Sequence, residues 1–179
     1  MKTQKFEIVS SQSNIDWVGK KVTGSHNGTI AIKEGTLSLK DGKLIGGKAI
    51  VDMSSIKILD VTDPATNAQF SGHLASDDFF GIDRFPEAIL EIHSVKEKAT
   101  KDRYEVVGYL TIKGITGAIS FEATLSLNDN SLTAFGKLVV DRTRYGIKFR
   151  SGNFFKNLGD TLIYNDFDLN VNITAKAAA

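Results

Sequence analysis

The side chains that most often perform catalysis or bind metals are scarce in this sequence. There are three histidines, His26, His73 and His93, and no cysteine. No two histidines have the H-x-H or H-E-x-x-H spacing of a metal site, and the absence of cysteine excludes disulfides, thiolate zinc sites and cysteine nucleophiles. The G-x-S-x-G, G-x-G-x-x-G and Walker patterns do not occur either. We therefore assign no catalytic residue, no metal and no cofactor from sequence motifs.

One short segment concentrates positive charge. Four cations, Arg142, Arg144, Lys148 and Arg150, lie within nine residues of one another. Several aspartates are close to this segment in the sequence, which favours a solvated face or internal ion pairs. The alternative is a contact with an anionic head group or a membrane surface at the rim of the fold.

The composition excludes several classes of protein. The chain has 179 residues, of which 41% are hydrophobic and 24% charged. This balance is typical of one globular domain, here residues 1–179, and not of a disordered or fibrous protein. The net charge is only +1, which argues against a nucleic-acid partner. Eleven residues are phenylalanine, a large apolar content without a polar group on the ring.

The N-terminus shows no targeting signal. Lys2 and Lys5 could begin a signal peptide, but Glu7 and the polar residues 10–14 interrupt the apolar run that would have to follow. No apolar run of about 18 residues occurs, so we expect no transmembrane segment. We expect a cytoplasmic protein, or a periplasmic one if a leader has been removed.

Alternation of apolar and polar residues dominates the chain and predicts β-strands. Asn27-Gly28 and Asp41-Gly42 are typical of two-residue hairpin turns. Short links between consecutive strands indicate an all-β fold, in which eight antiparallel strands close into an up-and-down barrel without exposed edges. The predicted strands are Ile15–Ser25, Thr29–Leu39, Lys43–Met53, Ala88–Lys98, Arg103–Lys113, Ile119–Leu127, Ser131–Val140 and Phe167–Ile173.

Two segments interrupt the strand pattern. In the segment from Asp63 to Gly81, Asp63-Pro64 predicts the start of a short helix, and Phe70 and Leu74 would form its apolar face. The other segment runs from residue 145 to residue 162. Both contain a Ser-x-x-Phe-Phe pattern, which places paired phenylalanines outside the regular sheet. We expect both segments to form lids over an open end of the barrel.

An eight-stranded barrel either fills its interior with side chains or holds one small ligand. Several residues predicted to point inward are small, which favours a cavity, although neighbouring Phe and Leu side chains could also fill the space. Walls of Phe, Leu, Ile and Val predict an apolar, elongated ligand, because burying hydrocarbon contributes about 0.8 kcal/mol per CH₂. The small inward candidates are Ala31 or Ala49, Ala123, Ala134 and Gly136.

Six stretches of the sequence together resemble the YceI-like family, whose members are often described as polyisoprenoid-binding. The most specific part is the joint occurrence of Ser-x-Asp-Phe-Phe and, later in the chain, Leu-Thr-Ile-Lys-Gly-Ile-Thr. The stretches are residues 17–26, 72–80, 85–86, 108–116, 141–143 and 152–160.

The resemblance implies a lipocalin-like barrel with a long apolar tunnel that carries an isoprenoid or other long-chain lipid, such as a quinone or polyprenyl lipid. It also implies a homodimer. His73 and Arg142 are our candidates for contacts with a lipid head group, although Arg142 also fits a structural role. We expect these residues to line or close the tunnel: Trp17, Phe70, Leu74, Phe79, Phe80, Ala123, Leu125, Ala134, Phe154 and Phe155.

Two other functions stay open at this stage. One is an enzyme that modifies a hydrophobic substrate at the barrel mouth, with His73 or His26 as general base. This hypothesis requires a histidine within hydrogen-bond reach of a carboxylate. It is excluded if all three histidines lie on the outer surface of the barrel. We expect His93 to be on the surface. The other is a module whose lid surface, around Phe79 or Phe154, recognises a protein partner.

Overall fold

The computed structural model describes residues 3–152, 154, 156, 158–159 and 162–178. Strands account for most of this part of the chain. They are β1 (Thr3–Ile8), β2 (Asn14–Lys21), β3 (Gly24–Lys40), β4 (Lys43–Ile58), β5 (Glu87–Glu97), β6 (Arg103–Ile112), β7 (Ile115–Asn128), β8 (Ser131–Asp141) and β9 (Ile163–Ala177), with one α-helix, α1 (Pro64–Ala75), between β4 and β5.

The strands form one closed antiparallel sheet. Each strand from β2 to β9 pairs with the next one along the chain, and β9 pairs with β2 to complete the ring. Inward and outward positions alternate, so that Tyr104, Val106 and Leu110 of β6 are buried inside the barrel. The predicted eight-stranded up-and-down barrel is confirmed.

Strand β1 is the element that the sequence analysis missed. It lies between β3 and β9, where Phe6 pairs with Leu37 on one side and with Ala177 on the other. The β2 strand continues the same position in the ring after a short 3₁₀ turn, Ser10–Gln12. The Ser13 hydroxyl joins the two halves, since it donates to the Val9 carbonyl at 2.8 Å and accepts from the Thr174 N–H at 3.0 Å. Nine strands therefore fill eight positions in the barrel.

One of the two predicted hairpin turns is correct. Asp41-Gly42 connects β3 to β4, and both residues have the positive φ that this turn requires. The prediction for Asn27-Gly28 is wrong, because both residues lie inside β3. A β-carbon at Gly28 would meet the Lys57 carbonyl oxygen at 1.8 Å and the Trp17 ring at 2.6 Å. Close approach of a neighbouring strand, not a turn, explains this glycine.

The helix α1 covers one end of the barrel, as predicted. Asp63 caps it by accepting a hydrogen bond from the Thr66 N–H at 2.9 Å, and Pro64 occupies the first helical position. A 3₁₀ turn, Arg142–Tyr145, begins the second connecting segment, between β8 and β9. In the described residues, no helix has the length and apolar character needed to cross a membrane.

We expect Gly28→Ala to lower the free energy of unfolding by about 3 kcal/mol, because the added methyl group overpacks a contact with a backbone oxygen. Gly46→Ala is the matched control, since a β-carbon there would meet nothing within 4 Å. Urea denaturation of both variants measures the effect. Equal stability of the two variants would contradict this account of Gly28.

Candidate functional site

A large cavity of about 710 Å³ lies inside the barrel beneath α1. Its walls come from β9 and from the strands β2 to β6, at their ends nearest the helix, and from both connecting segments. Exposed polar residues, among them Lys20, Gln69 and Arg150, mark the place where it reaches the surface, which we call the mouth. The apolar lining residues are Ile15, Trp17, Ile30, Val51, Met53, Ile56, Val61, Phe70, Leu74, Phe79, Phe80, Ala88, Leu110, Ile112, Ile147, Phe149, Ile163, Phe167 and Leu169.

A second, small cavity of about 70 Å³ lies deeper in the barrel. The two cavities meet at successive inward positions: on β9, Leu169 lines the large cavity and Val171 the small one. On β4, Val51 lines the large cavity and Ala49 the small one. The two cavities therefore lie end to end along the barrel, and a single long tunnel stays a prediction. Leu and Phe side chains fill much of the deeper part, which was the alternative to an open interior.

The predicted ligand-binding residues separate into three groups. Trp17, Phe70, Leu74, Phe79 and Phe80 line the large cavity, together with both head-group candidates, His73 and Arg142.

Ala123, Leu125 and Ala134 line only the small cavity. Phe154 lines neither cavity: its side chain is 50% exposed and lies against Lys148, whose Nζ is 4.8 Å from the ring centre. The expectation that Phe154 closes the tunnel is therefore wrong, because its ring lies outside both cavities. Phe155 lies outside the described residues.

The two connecting segments touch above the cavity. The ring of His73, on α1, packs edge-on against Phe149 with 4.7 Å between centres, and Phe79 lies 5.6 Å from Phe149. Phe149 and Ile147, which the sequence analysis did not select, take the place that we assigned to Phe154. The alternation of apolar residues at Ile147 and Phe149 could have predicted this position. The sequence analysis instead selected the Phe-Phe pair a few residues later.

Two of the three histidines line the large cavity, and each contacts a carboxylate. His26 Nδ1 lies 2.8 Å from Asp60 Oδ2, and His73 Nε2 lies 3.0 Å from Asp78 Oδ2. His93 is on the surface, as expected, where it packs against Tyr109. The described residues contain no group of three or more His, Asp or Glu side chains arranged to hold a metal ion.

Asp60 connects the start of the lid segment to β3. Burial acts to raise the pKa of its carboxyl, but hydrogen bonds from the Asn27 N–H and from His26 outweigh burial and hold that pKa below its ordinary value. The ring of His26 also packs edge-on against Phe70 of α1, at 4.7 Å. This corner therefore holds the start of the lid segment and α1 against the barrel wall by one hydrogen bond and one ring contact.

Arg142 is buried, with 4% of its surface exposed. Its guanidinium donates three hydrogen bonds to main-chain carbonyls, from Nε to Tyr164, from Nη1 to Ile147 and from Nη2 to Ile163, each at 3.0 Å. Burial lowers the pKa of Arg142, and the neighbouring Asp141 opposes that shift. The residue has the structural role that we considered, because it ties the segment after β8 to the start of β9.

The remaining cations of this segment have separate surroundings. Arg144 donates to the Ala118 carbonyl at 3.2 Å on the outside, and Lys148 lies over Phe154. Arg150 lines the large cavity and lies over the Phe149 ring at 4.9 Å. Arg144 and Lys148 thus belong to a solvated face and Arg150 to the cavity mouth, while contact with an anionic head group or a membrane surface stays a prediction.

Comparison with known proteins adds the following. A family model described as "YceI-like domain" matches residues 6–175. A UPF0312 protein of Staphylococcus aureus is 34% identical over 113 residues, which is 56% of this chain and 61% of the relative. A UPF0312 protein of Pseudomonas putida is 29% identical over 123 residues, 68% of this chain and again 61% of the relative. The chain thus matches only about three fifths of the length of these relatives.

Two solved structures share the fold over almost the whole chain. BcnA of Burkholderia cenocepacia has a TM-score of 0.74 and 20% identity, and the match covers 94% of this chain and 99% of that one. A polyisoprenoid binding domain of Saccharophagus degradans has a TM-score of 0.68 and 11% identity, with coverage of 99% and 100%.

We expect the free energy of unfolding to fall in acid because the Asp60 carboxylate becomes protonated. Because the pKa of this carboxyl is lowered in the folded protein, its contribution is complete above about pH 5 and is lost as the pH falls through the folded-state pKa. Asp60→Asn should therefore lose less stability than the wild type in thermal melts between about pH 5 and pH 2. His26→Gln, which keeps the Asn27 hydrogen bond, should fall between the two. Identical pH slopes in all three proteins would contradict this role.

Proposed function

Because the chain belongs to the YceI-like domain family, we propose that it binds an elongated apolar lipid inside the barrel and carries or sequesters it without chemical change. We favour an isoprenoid chain, of the quinone or polyprenyl type, as the ligand. The observation that carries this proposal is the large cavity of about 710 Å³, whose wall is mainly apolar. Ligand sites in proteins commonly measure about 300–1,000 Å³, and this cavity falls within that range.

The wall explains how a chain could bind without a strong polar anchor. Trp17, Phe80 and Phe167 offer large apolar surfaces, and Phe80 and Phe167 pack against each other at 6.4 Å. Each methylene transferred from water to such a wall contributes about 0.8 kcal/mol before the cost of ordering the chain. A long hydrocarbon therefore gains affinity in proportion to the length that the cavity accommodates.

The structural neighbour described as a polyisoprenoid binding domain supports the same ligand class. It aligns with 99% of this chain, including the segments that cover the cavity. At 11% identity the likeness concerns the fold. It supports the presence of an interior site, while the lining residues of this chain have to determine the ligand.

A second candidate function rests on the histidines. His26 and His73 both line the cavity and both contact a carboxylate, which is the arrangement that a general base requires. An enzyme that modifies a hydrophobic substrate at the mouth is the alternative to carriage. For the alternative that the lid binds a protein partner the two named residues differ, since Phe79 is buried in the cavity wall and Phe154 is half exposed.

We expect Ala88→Phe to reduce binding of a neutral apolar dye, N-phenyl-1-naphthylamine, by about tenfold or more. Ala88 is buried in the wall of the large cavity, which has room for the added ring without unfolding the barrel. Ala31→Phe is the matched control, because Ala31 is exposed on β3. Dye fluorescence measures binding, and a thermal melt verifies the fold. Wild-type affinity in a folded Ala88→Phe variant would place the ligand elsewhere.

We expect organic extraction of protein purified without detergent, followed by mass spectrometry, to release an isoprenoid lipid in about one-to-one ratio with protein. Carriage predicts that a lipid loaded onto the protein is recovered with unchanged mass. A new product formed by the wild type, and not by His26→Asn or His73→Asn, would instead establish the enzyme.

A further inference from the structure

The segment that joins β8 to β9 carries positive charge without any acidic residue. The chain as a whole is nearly balanced, with 22 basic and 21 acidic residues. No aspartate or glutamate occurs between positions 142 and 159, whereas the basic residues there are Arg142, Arg144, Lys148, Arg150 and Lys156. The excess of positive charge is therefore a property of this segment, which helps to cover the large cavity.

The described part of this segment has an inner and an outer face. Ile147 and Phe149 line the large cavity, and Ile147 is completely buried. Arg144, Lys148 and Arg150 are exposed. Arg150 also lies at the mouth, where its guanidinium carbon is 4.9 Å from the centre of the Phe149 ring. The segment is therefore amphipathic, with apolar side chains toward the cavity and cations on the solvent side.

The three exposed cations form no salt bridge within the part of the chain that the structure describes. The aspartates close to them in the sequence have other contacts. Asp141 accepts hydrogen bonds from the Thr143 N–H and hydroxyl, at 3.0 and 2.6 Å. Asp168 forms a salt bridge with Lys20 at 3.2 Å, and Asp166, which is exposed on β9, forms none with the three cations. Their positive charge is thus available to an external partner.

The opposite end of the barrel has a different distribution of charge. Lys43 forms a salt bridge with Glu97 at 2.9 Å. Glu122 binds both Lys98, at 2.8 Å, and Arg103, at 3.3 Å. The turns that connect β3 to β4, β5 to β6 and β7 to β8 at this end each contain an aspartate: Asp41, Asp102 and Asp129. Cations at the hairpin end therefore lie among carboxylates, whereas those beside the mouth do not.

An exposed aromatic ring accompanies the cations beside the mouth. Phe154 is 50% exposed, and Lys148 Nζ lies 4.8 Å from the centre of its ring. Aromatic and basic side chains together are typical of surfaces that bind anionic membranes, because the ring enters the head-group region while the cation meets phosphate. Other elements place further exposed apolar side chains at this end of the barrel: Val22, Leu59 and Tyr164.

We propose that this end of the barrel docks on an anionic membrane through the exposed cations of the segment after β8 and through Phe154. The cations lie among the lipid head groups, where each contributes about fivefold to the association constant. The mouth then opens toward the bilayer. The choice of a membrane over an acidic protein rests on the proposed function, because a long-chain lipid dissolves poorly in water and is available to the mouth in a bilayer.

Sedimentation of the wild-type protein with lipid vesicles tests this inference. Vesicles of equal parts phosphatidylcholine and phosphatidylserine are compared with vesicles of phosphatidylcholine alone, at about 0.1 M salt. We expect an association constant about tenfold higher or more for the anionic vesicles. At about 1 M salt, where the screening length is about 3 Å, the difference should disappear.

The double variant Lys148→Gln with Phe154→Ser should weaken binding to the anionic vesicles by about tenfold. It should leave the affinity for N-phenyl-1-naphthylamine unchanged, because neither residue lines a cavity. Lys101→Gln with Leu127→Ser is the matched control, since it removes the same charge and one exposed apolar side chain at the hairpin end. This control should bind both vesicles and dye as the wild type does, and thermal melts verify the fold of both variants.

The outcomes separate docking from lipid binding in the cavity. Ala88→Phe, which partly fills the cavity, should still bind the anionic vesicles, and loss of that binding would assign the association to lipid uptake and overturn the inference. Equal binding to charged and neutral vesicles, or wild-type binding by the Lys148 and Phe154 double variant, would also overturn it. Absence of vesicle binding would overturn it in favour of an acidic protein partner. Failure of the dye to bind would overturn the proposed function instead.

Discussion

The pairing of β2 with β9 closes the sheet, and the cavity depends on that closure. These strands come from opposite ends of the chain, whereas the other pairs among β2 to β9 are consecutive along the chain. Trp17 pairs with Leu169 along this β2–β9 seam, and both residues line the cavity. The cavity wall is therefore complete only when β2 and β9 have paired. Pairing over such a sequence separation is entropically costly. Strand β1 and the Ser13 hydroxyl lengthen the seam and offset that cost.

The closed barrel divides its interior between stability and binding. At the end closed by β1, Phe6 and Leu39 are almost completely buried and the remaining cavity is small. At the other end, α1 and the segment after β8 cover space that side chains do not fill. An unfilled apolar cavity costs stability. The densely packed half of the barrel offsets this cost, which allows the other half to remain open to a ligand.

The sequence was sufficient for the elements that form locally and insufficient for those that depend on distant contacts. Alternation predicted the barrel strands, and Asp63-Pro64 predicted the start of α1, because both signals act over a few residues. Strand β1 could not be predicted in this way, because its apolar pattern is short and the strand is stabilised by pairing with β3 and β9, which are distant in the sequence. Asn27-Gly28 has the pattern of a turn, but the Lys57 carbonyl that excludes a side chain at Gly28 is distant in the sequence. Phe149 was overlooked for the same reason, since its contact with His73 joins two separate segments.

The apolar and the polar residues of the cavity wall have different consequences for recognition. Apolar contacts depend on area and distinguish poorly between chains of similar length. Specificity therefore has to come from polar groups held in fixed positions, and Arg142 is the most rigid of these, with hydrogen bonds to residues 147, 163 and 164. The residue that orders the segment after β8 therefore also belongs to the wall of the cavity. A chain bound in the cavity would contact both covering segments, so that occupancy and closure of this end of the barrel would be thermodynamically linked.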